Sequence, residues 1–336
     1  MENNRLKFGL IGAGAIAQAY AAVLASSELI EVAGVADTRP ESAKAMAETL
    51  RCRSFTSHEE LAGAVDLDAV IVCTPPSSHA EICSCFLARK VHAMCEKPFT
   101  TDLRSARETI AVAGKAGVIL TMASKFRYVD DVVRAKSIVA SGILGDIVLF
   151  ENAFTARVDM STRWNSNPQV SGGGVLIDNG THSLDIMRYL LGPITEVQVI
   201  EGKRSRGLAV EETVHIFART ESGAVGSIDL SWGISKELDS YINMYGSMGT
   251  VTVGWKTSRY RQASSRDWVT FGKGYDKFQA LRAQLHNFAR AIRGAEPLLI
   301  RAEDALASVE VVEAAYEALR RNQWVRVGEV REVVAA

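Results

Sequence analysis

The sequence predicts a two-domain α/β protein, in which a doubly wound parallel sheet is followed by an α+β domain with a largely antiparallel open sheet. Its 336 residues correspond to about two domains of typical size. Short apolar runs alternate with helical segments over the first third, whereas beyond about residue 145 strand-like runs follow one another directly. We therefore predict one domain over residues 1–124 and a second over 125–336.

The first domain has strand-like runs that are almost uninterrupted and apolar, which is typical of strands buried on both faces. These runs are residues 7–11, 32–36, 69–73, 91–95 and 118–122. The intervening segments are long enough for the crossover helices of βαβ units, and they span residues 15–26, 40–50, 79–88 and 102–116.

The second domain has strand-like runs joined by turn-like links such as 221–223 and 246–249. The predicted strands are residues 147–157, 195–201, 213–219, 224–232, 241–245 and 250–253. The predicted helices are residues 174–191, 277–293 and 302–321, the last of which is a candidate to pack back on the first domain. Ile228 and Leu230 alternate with Ser227 and Asp229, so one face of the sheet is buried and the other meets solvent or a second subunit.

Composition excludes several classes of protein and of partner. There are 38 Lys and Arg against 39 Asp and Glu, so we expect neither a nucleic-acid nor a membrane partner. The five cysteines and six histidines form no C-x-x-C or H-E-x-x-H pattern, so we expect reduced thiols and no metal. The basic and apolar start superficially resembles a secretory leader, but three glycines interrupt it, and we expect a cytoplasmic protein.

A glycine-rich turn, Gly12-Ala13-Gly14-Ala15-Ile16-Ala17, follows the first strand and opens the first helix. Gly12 permits a tight turn, and Gly14 allows a pyrophosphate to approach the backbone at the positive end of the helix. In this context the pattern is typical of a Rossmann dinucleotide-binding domain. The alternative is an ordinary small-residue turn.

Asp37 lies at the end of the second strand, 20 residues after Ala17. A carboxylate at this position accepts hydrogen bonds from the ribose hydroxyls of NAD and repels the 2′-phosphate of NADP. Arg39 could instead bind that phosphate. We favour NAD, with NADP as the alternative, and note that Asp37 could also serve as a helix cap.

Two further loops leave the same edge of the predicted sheet, where open α/β sheets bind ligands. One contains Thr74, Pro75, Pro76 and His79, and the other is Glu96-Lys97-Pro98. Lys97 is a candidate catalytic group, although a solvated loop lysine is the alternative.

Three glycines, 172–174, precede a helix on which Leu176, Gly180 and Leu184 form an apolar stripe. Asp178 and His182 are four residues apart on the opposite, polar face, as an acid and a titratable imidazole must be to move a proton together. The glycines indicate a backbone that a ligand approaches closely. An exposed i,i+4 pair is the alternative.

Together, the Gly12-Ala13-Gly14 turn, Thr74-Pro75-Pro76 with His79, Glu96-Lys97-Pro98, and Gly172-Gly173-Gly174 followed by Asp178 and His182 resemble the glucose-fructose oxidoreductase, inositol dehydrogenase and rhizopine catabolism (Gfo/Idh/MocA) family. The resemblance covers essentially the whole chain. It implies an NAD(P)-dependent oxidoreductase that acts on a sugar, cyclitol or related polyol, and a homodimer or homotetramer formed through the second sheet.

The resemblance also implies roles for individual residues. Lys97 would hydrogen-bond the reacting hydroxyl, His182 would act as general base, and Asp178 would orient the substrate or the base. Arg127 would face the substrate, with a salt bridge as the alternative. Independently of the resemblance, the segment 157–171 is long and polar, so we predict that it lines the cleft and selects the substrate, and Trp164 within it would stack on a sugar ring or anchor the loop. Asn179 completes the predicted substrate residues, and the predicted cofactor residues are Gly12, Gly14, Ala15, Ile16, Asp37, Arg39, Thr74, Pro75, Pro76, His79, Glu96 and Lys97.

Two other functions are compatible with these residues. One is an enzyme that retains NAD and oxidises a sugar only transiently, for glycoside cleavage or epimerisation. The other is a sensor that binds nucleotide and sugar without chemistry.

Overall fold

The computed structural model describes residues 5–329 of the chain. Its strands, numbered in chain order, are β1 (Leu6–Ile11), β2 (Ile30–Ala36), β3 (Arg53–Phe55), β4 (Ala69–Val72), β5 (His92–Glu96), β6 (Leu120–Ala123), β7 (Ile147–Thr155), β8 (Ile194–Glu201), β9 (Thr213–Thr220), β10 (Val225–Ser231), β11 (Ser240–Gly246), β12 (Gly249–Gly254), β13 (Ser258–Gln262), β14 (Val269–Gly272) and β15 (Val325–Arg326). Its helices are α1 (Ala15–Leu24), α2 (Pro40–Leu50), α3 (His58–Ala64), α4 (His79–Leu87), α5 (Leu103–Ala116), α6 (Asp130–Ala140), α7 (Pro168–Ser171), α8 (Val175–Leu191), α9 (Lys277–Ile292) and α10 (Ala302–Arg321).

The chain divides into two compact units. The first comprises residues 5–125 together with 278–306, and the second comprises 126–277 together with 307–329. We predicted a single boundary near residue 124, so the prediction did not place residues 278–306 in the first unit. The segment that we considered a candidate to pack back on the first domain was 302–321. In the structure α9 makes the return, because Leu285 and Phe288 are buried in the core of the first unit. The ring of Phe288 lies 5.7 Å from that of Phe8 on β1.

The first unit has a parallel sheet in the order β3-β2-β1-β4-β5-β6, which confirms the doubly wound prediction. All four residues of β4 are buried, as expected for a central strand covered by helices on both faces. The carboxyl ends of β1, β2, β4 and β5 lie along one edge, which is where the glycine turn and the polar loops leave the sheet. The sequence did not predict β3, since it is short and its Arg53 and Ser54 are exposed.

The second unit has an open sheet in the order β14-β13-β12-β11-β7-β10-β9-β8-β15. Its neighbouring strands are antiparallel except β7 and β10, which confirms a largely antiparallel sheet. Helix α8 packs on one face, against β7, β9 and β10. The alternation in β10 is confirmed, because Ile228 and Leu230 are buried whereas Ser227 and Asp229 are partly exposed.

Candidate functional site

The glycine turn of the first unit joins β1 to α1. Gly12 has φ of +90°, a left-handed conformation that favours glycine, and a Cβ there would lie 2.8 Å from the carbonyl oxygen of Cys73. Gly14 precedes α1, and a Cβ on it would meet no protein atom within 4 Å. The first residues of the helix, Ala15 and Ile16, therefore present their backbone N–H groups beside open space, which fits a bound pyrophosphate.

Asp37 follows β2 and is hydrogen-bonded to the glycine turn. Its Oδ2 accepts a hydrogen bond from the backbone N–H of Ala13 (2.8 Å), and its Oδ1 accepts from the backbone N–H (2.8 Å) and Nε (3.2 Å) of Arg39. Burial alone would raise the pKa of Asp37, but these hydrogen bonds outweigh it and lower the pKa. The carboxylate is ionised at neutral pH and is 9% exposed, whereas the Arg39 side chain is 64% exposed.

His79, the first residue of α4, connects the two loops that follow β4 and β5. Its Nε2 lies 2.8 Å from the carbonyl oxygen of Thr74, and its Nδ1 lies 2.9 Å from that of Pro98. The ring is buried, and burial lowers its pKa. Since both ring nitrogens face backbone carbonyls, His79 holds the loops together rather than pointing toward open space.

Glu96 ends β5 and is also directed into the protein. Its Oε1 accepts a hydrogen bond from the Tyr20 hydroxyl (2.8 Å), and its Oε2 accepts from the backbone N–H of Lys97 (3.1 Å). The Gln284 side chain of α9 donates to the same Tyr20 hydroxyl (2.7 Å). Burial raises the pKa of Glu96, against the opposing positive charges of Lys125 and Lys97. This buried chain of three side chains links α9 and α1 to the residue beside Lys97.

The first unit thus brings most predicted cofactor residues to one edge of its sheet. The glycine turn, Asp37, the Thr74-Pro75-Pro76 segment and Lys97 follow the carboxyl ends of β1, β2, β4 and β5 respectively. Dinucleotides bind to open parallel sheets at this edge. Glu96 and His79 belong to the same region, but their hydrogen bonds are to the protein.

In the second unit, the glycines before α8 are approached by the protein itself. A Cβ on Gly173 would lie 1.8 Å from the hydroxyl of Tyr316, and one on Gly174 would lie 2.0 Å from the carbonyl oxygen of Glu211. The interpretation that a ligand requires these glycines was therefore wrong for both positions. Gly172 is exposed and has φ of +81°.

Glu211 caps the start of α8, a role that the sequence analysis missed. Its Oε1 accepts hydrogen bonds from the backbone N–H groups of Gly174 (2.8 Å) and Leu176 (3.1 Å) and from the hydroxyl of Tyr316 (2.8 Å). Burial raises the pKa of Glu211, against the lowering effect of these hydrogen bonds. No local pattern could have indicated it, because the cap lies 37 residues from Gly174.

Asp178 and His182 lie on the first turns of α8, but the predicted polar face of this helix is not an exposed one. Asp178 and Asn179 are half-buried, whereas His182 is 6% exposed and Asp185 is completely buried. The His182 ring packs edge-on against Phe126, with 5.0 Å between centroids. The alternative of an exposed i,i+4 pair is therefore wrong for His182, which is buried and packs against an aromatic ring.

Arg127 is committed to an ion pair within the second unit. Its Nε lies 3.0 Å from Oδ2 of Asp185 and its Nη2 lies 2.6 Å from Oδ1, and both side chains are at most 5% exposed. The guanidinium also lies 5.3 Å from the centroid of the Tyr189 ring. The salt bridge that we left open as the alternative is the arrangement observed, and it ties α8 to the segment before α6.

Trp164 lies in a short 3₁₀ turn, Trp164–Ser166, of the segment that we predicted to select the substrate. Its side chain is 43% exposed, so it is not a buried anchor of that segment. The carbonyl oxygen of Val158, near the start of this segment, accepts a hydrogen bond from Arg206.

One group of side chains elsewhere could hold a metal ion. His58, Glu59 and Glu81 place ligand atoms within 4.8 Å of one another, and both glutamates are exposed. Exposed acidic groups commonly lie this close without a metal, and these residues are on α3 and α4. We assign them no function.

Two family models match the chain. The model of the oxidoreductase family with an NAD-binding Rossmann fold (GFO_IDH_MocA) matches residues 6–124, and that of the GFO/IDH/MocA C-terminal domain matches residues 132–252. No helix within residues 5–329 combines the length and the apolar character that a membrane crossing requires.

Individual relatives match over nearly the full chain. The rhizopine catabolism protein MocA of Rhizobium meliloti is 28% identical, over 95% of this chain and 96% of its own length. The inositol 2-dehydrogenase of Rhizobium meliloti (strain 1021) is 24% identical, over 96% and 99%. The crystal structure of GenD2 from gentamicin A biosynthesis in complex with NAD has a TM-score of 0.85 and is 25% identical, and the match covers 96% of each chain.

Proposed function

This chain belongs to the Gfo/Idh/MocA family of oxidoreductases with an NAD-binding Rossmann fold, and from that membership and its site residues we propose that it transfers a hydride between NAD and a secondary alcohol or ketone of a sugar, cyclitol or related polyol. The observation that carries the proposal is the convergence of the glycine turn, Asp37 and Lys97 on the carboxyl edge of one parallel sheet. The name of one relative, inositol 2-dehydrogenase, supports a cyclitol or related polyol as the substrate class.

The cofactor is held, in this proposal, by backbone groups and one carboxylate. The helix start at Gly14, Ala15 and Ile16 binds the pyrophosphate, and the open space beside Gly14 fits this role. Asp37 binds the adenine ribose and favours NAD, since its negative charge opposes a 2′-phosphate. Arg39 remains able to stack on adenine or to bind that phosphate, and the Thr74-Pro75-Pro76 segment would contribute to the same cofactor site. His79 and Glu96 stabilise the loops of this proposed cofactor site through hydrogen bonds within the protein.

The chain's own residues supply the acid–base chemistry. When bound, NAD would supply the acceptor for the hydride of the carbinol carbon. His182 removes the proton of the hydroxyl as the general base. Lys97 donates a hydrogen bond to the same oxygen and stabilises the negative charge that develops there. Asp178 and Asn179 orient the substrate, and Trp164 stacks on its ring.

The test is binding of NADH and NADPH to the purified protein by calorimetry, followed by a panel of sugars and cyclitols monitored at the absorbance of the reduced nicotinamide. We expect tighter binding of NADH than of NADPH and net turnover of a panel member. Tight cofactor binding without net turnover would instead favour transient internal oxidation or a sensor. Preference for NADPH would move the contact with the 2′ position from Asp37 to Arg39.

The open face of the second sheet is proposed as the surface that joins two copies of the chain. It carries Ile200 of β8, which is 47% exposed, and Tyr245 of β11, which is 37% exposed. Phe217, on the intervening strand β9, is partly buried. This face lies opposite the one covered by α8, and apolar side chains on an uncovered sheet favour a partner. Light scattering should give a dimer or tetramer for the wild type and smaller particles for an Ile200→Glu, Phe217→Glu variant; a wild-type monomer would contradict the proposal.

A further inference from the structure

We infer that Glu211 is a positioning residue for the reaction, which fixes the first turn of α8 and thereby the orientation of Asp178 and His182. This inference rests on the proposed function, because that function gives Asp178 and His182 their roles. Glu211 itself lies two residues before the first residue of β9 and belongs to none of the patterns that pointed to the site.

Glu211 satisfies three backbone N–H groups at the start of α8. Its Oε1 accepts from Gly174 and Leu176, and its own carbonyl oxygen accepts from Val175 (2.9 Å). The first N–H groups of a helix have no acceptor within the helix, so an external residue must satisfy them when they are buried. Here a single residue does so with both its side chain and its backbone, which fixes the position and the direction of the first turn.

This cap is held rigidly by its surroundings. Glu211 is 5% exposed, and the Tyr316 hydroxyl of α10 donates to the same Oε1 (2.8 Å). Gly174 leaves no room for a Cβ against the Glu211 carbonyl oxygen, so the two backbones are in direct contact. A carboxylate at a helix N-terminus is also stabilised by the helix dipole. Movement of the first turn would therefore break several buried hydrogen bonds at once.

The capped turn leads directly to the proposed catalytic groups. The backbone N–H of Asp178 donates to the carbonyl oxygen of Gly174 (3.1 Å), which places Asp178 one turn beyond the cap and His182 one turn further. A misplacement of about 1 Å can reduce turnover by about 100-fold. Glu211 acts through this helix and touches no reacting atom, so it is a positioning residue and not a catalytic one.

The experiment compares Glu211→Gln, Glu211→Asp and Glu211→Ala with a matched control, Glu317→Ala. The amide oxygen of Gln can accept the same three hydrogen bonds, whereas Asp keeps the charge but withdraws the oxygen by one methylene. Glu317 is a second glutamate that is 5% exposed, but its ion-pair partners, Arg320 and Arg321, belong to its own helix. For each variant we would measure kcat, KM, NADH affinity by calorimetry, and hydrogen exchange of the peptide that covers residues 172–178.

We expect Glu211→Asp and Glu211→Ala to lower kcat by about 10- to 100-fold, with NADH affinity unchanged and faster exchange in 172–178. Glu211→Gln should retain near wild-type kcat and exchange, and Glu317→Ala should change neither. If the Ala variant does not fold, Glu211→Asp alone decides. Wild-type kcat in Glu211→Asp, or an equal loss in Glu317→Ala, would overturn the inference.

A His182→Ala variant separates failure of this inference from failure of the proposed function. If His182→Ala is inactive while Glu211→Asp turns over like the wild type, only the positioning role is wrong. If His182→Ala retains full turnover, the proposed role of His182 fails, and the role of Glu211 fails with it.

Discussion

Glycines beside a helix start occur in both units, but they leave room for different things. In the first unit a Cβ on Gly14 would meet no protein atom within 4 Å. In the second unit the space that a Cβ would need is occupied by Tyr316 at Gly173 and by Glu211 at Gly174. The first arrangement keeps space for a ligand, and the second lets the protein cap its own helix. The comparison teaches that a glycine pattern indicates a close approach to the backbone, but only the fold identifies which atoms approach.

The largest effect is expected at α8, where we propose that His182 acts as the general base and takes no part in cofactor binding. His182→Ala should reduce kcat by about 10²- to 10⁴-fold, since a positioned general base contributes that much. NADH affinity, measured by calorimetry, should not change. His286→Ala, a partly buried histidine on α9, is the control and should leave kcat unchanged. Wild-type turnover in His182→Ala would remove the functional difference between the two regions.

A pair of alanine substitutions at the glycines tests the comparison itself. Gly174→Ala should lower the free energy of unfolding by roughly 1–3 kcal/mol or more, because its Cβ would overlap the Glu211 carbonyl. Gly14→Ala should leave it within about 0.5 kcal/mol, since Gly14 has φ of −77° and open space around it.

NADH affinity should fall in Gly14→Ala, the variant whose stability is expected to change less. Gly14→Ala should weaken NADH binding by about tenfold or more, ~1.4 kcal/mol, because the new methyl group occupies the space kept for the pyrophosphate. Urea unfolding and calorimetry provide the two measurements. Equal stability losses in both variants would show that Gly14 serves packing, as Gly174 does.

A smaller effect is expected from Asp37→Asn, which removes the charge but keeps an oxygen for the Ala13 N–H. Hydrogen bonds to charged groups contribute about 1.5–3 kcal/mol, so NADH affinity should fall about 10-fold or more. NADPH affinity should fall less, and the preference for NADH should narrow. The ratio of the two dissociation constants is the measurement, and Arg39→Ala is the comparison variant, which should change this ratio only if Arg39 contacts the 2′ position. An unchanged ratio in Asp37→Asn would mean that Asp37 serves the glycine turn alone.

The smallest effect concerns the pH dependence of stability in the first unit. Burial lowers the pKa of His79, so below about pH 6.5 the unfolded chain binds a proton that folded His79 does not. Its contribution to the free energy of unfolding therefore decreases as pH falls from about 6.5 toward the folded pKa, by at most ~1.4 kcal/mol per pH unit. His92 and His286, whose pKa values burial also lowers, are present both in the wild type and in the His79→Gln variant that tests this prediction.

His79→Gln should flatten that pH dependence, and urea unfolding between pH 5 and about pH 7 checks it against the wild type. Identical slopes in the two proteins would mean that His79 is protonated in the fold, with both ring nitrogens donating to the carbonyl oxygens of Thr74 and Pro98.

Much of the fold was predictable because its signals are local. Uninterrupted apolar runs identified the central strands of the parallel sheet, and β10 showed the alternation expected of a sheet with one buried face. Strands β3, β13, β14 and β15 were missed, since they are short and partly polar and lie at or near the sheet edges. The return of α9 to the first unit was missed because an apolar helical stripe does not specify which core it joins.

Local sequence patterns predict where the backbone turns and which residue types follow the strands at the sheet edge. Gly12, Gly14, Asp37 and Lys97 are recognisable because conformation and spacing along a few residues fix their places. The pairing of Arg127 with Asp185, 58 residues away, and of Tyr316 with Glu211, 105 residues away, became apparent from the folded chain alone. These contacts depend on which groups, distant in sequence, are buried together. Burial then decides whether a charged side chain remains accessible to a ligand or forms hydrogen bonds within the protein.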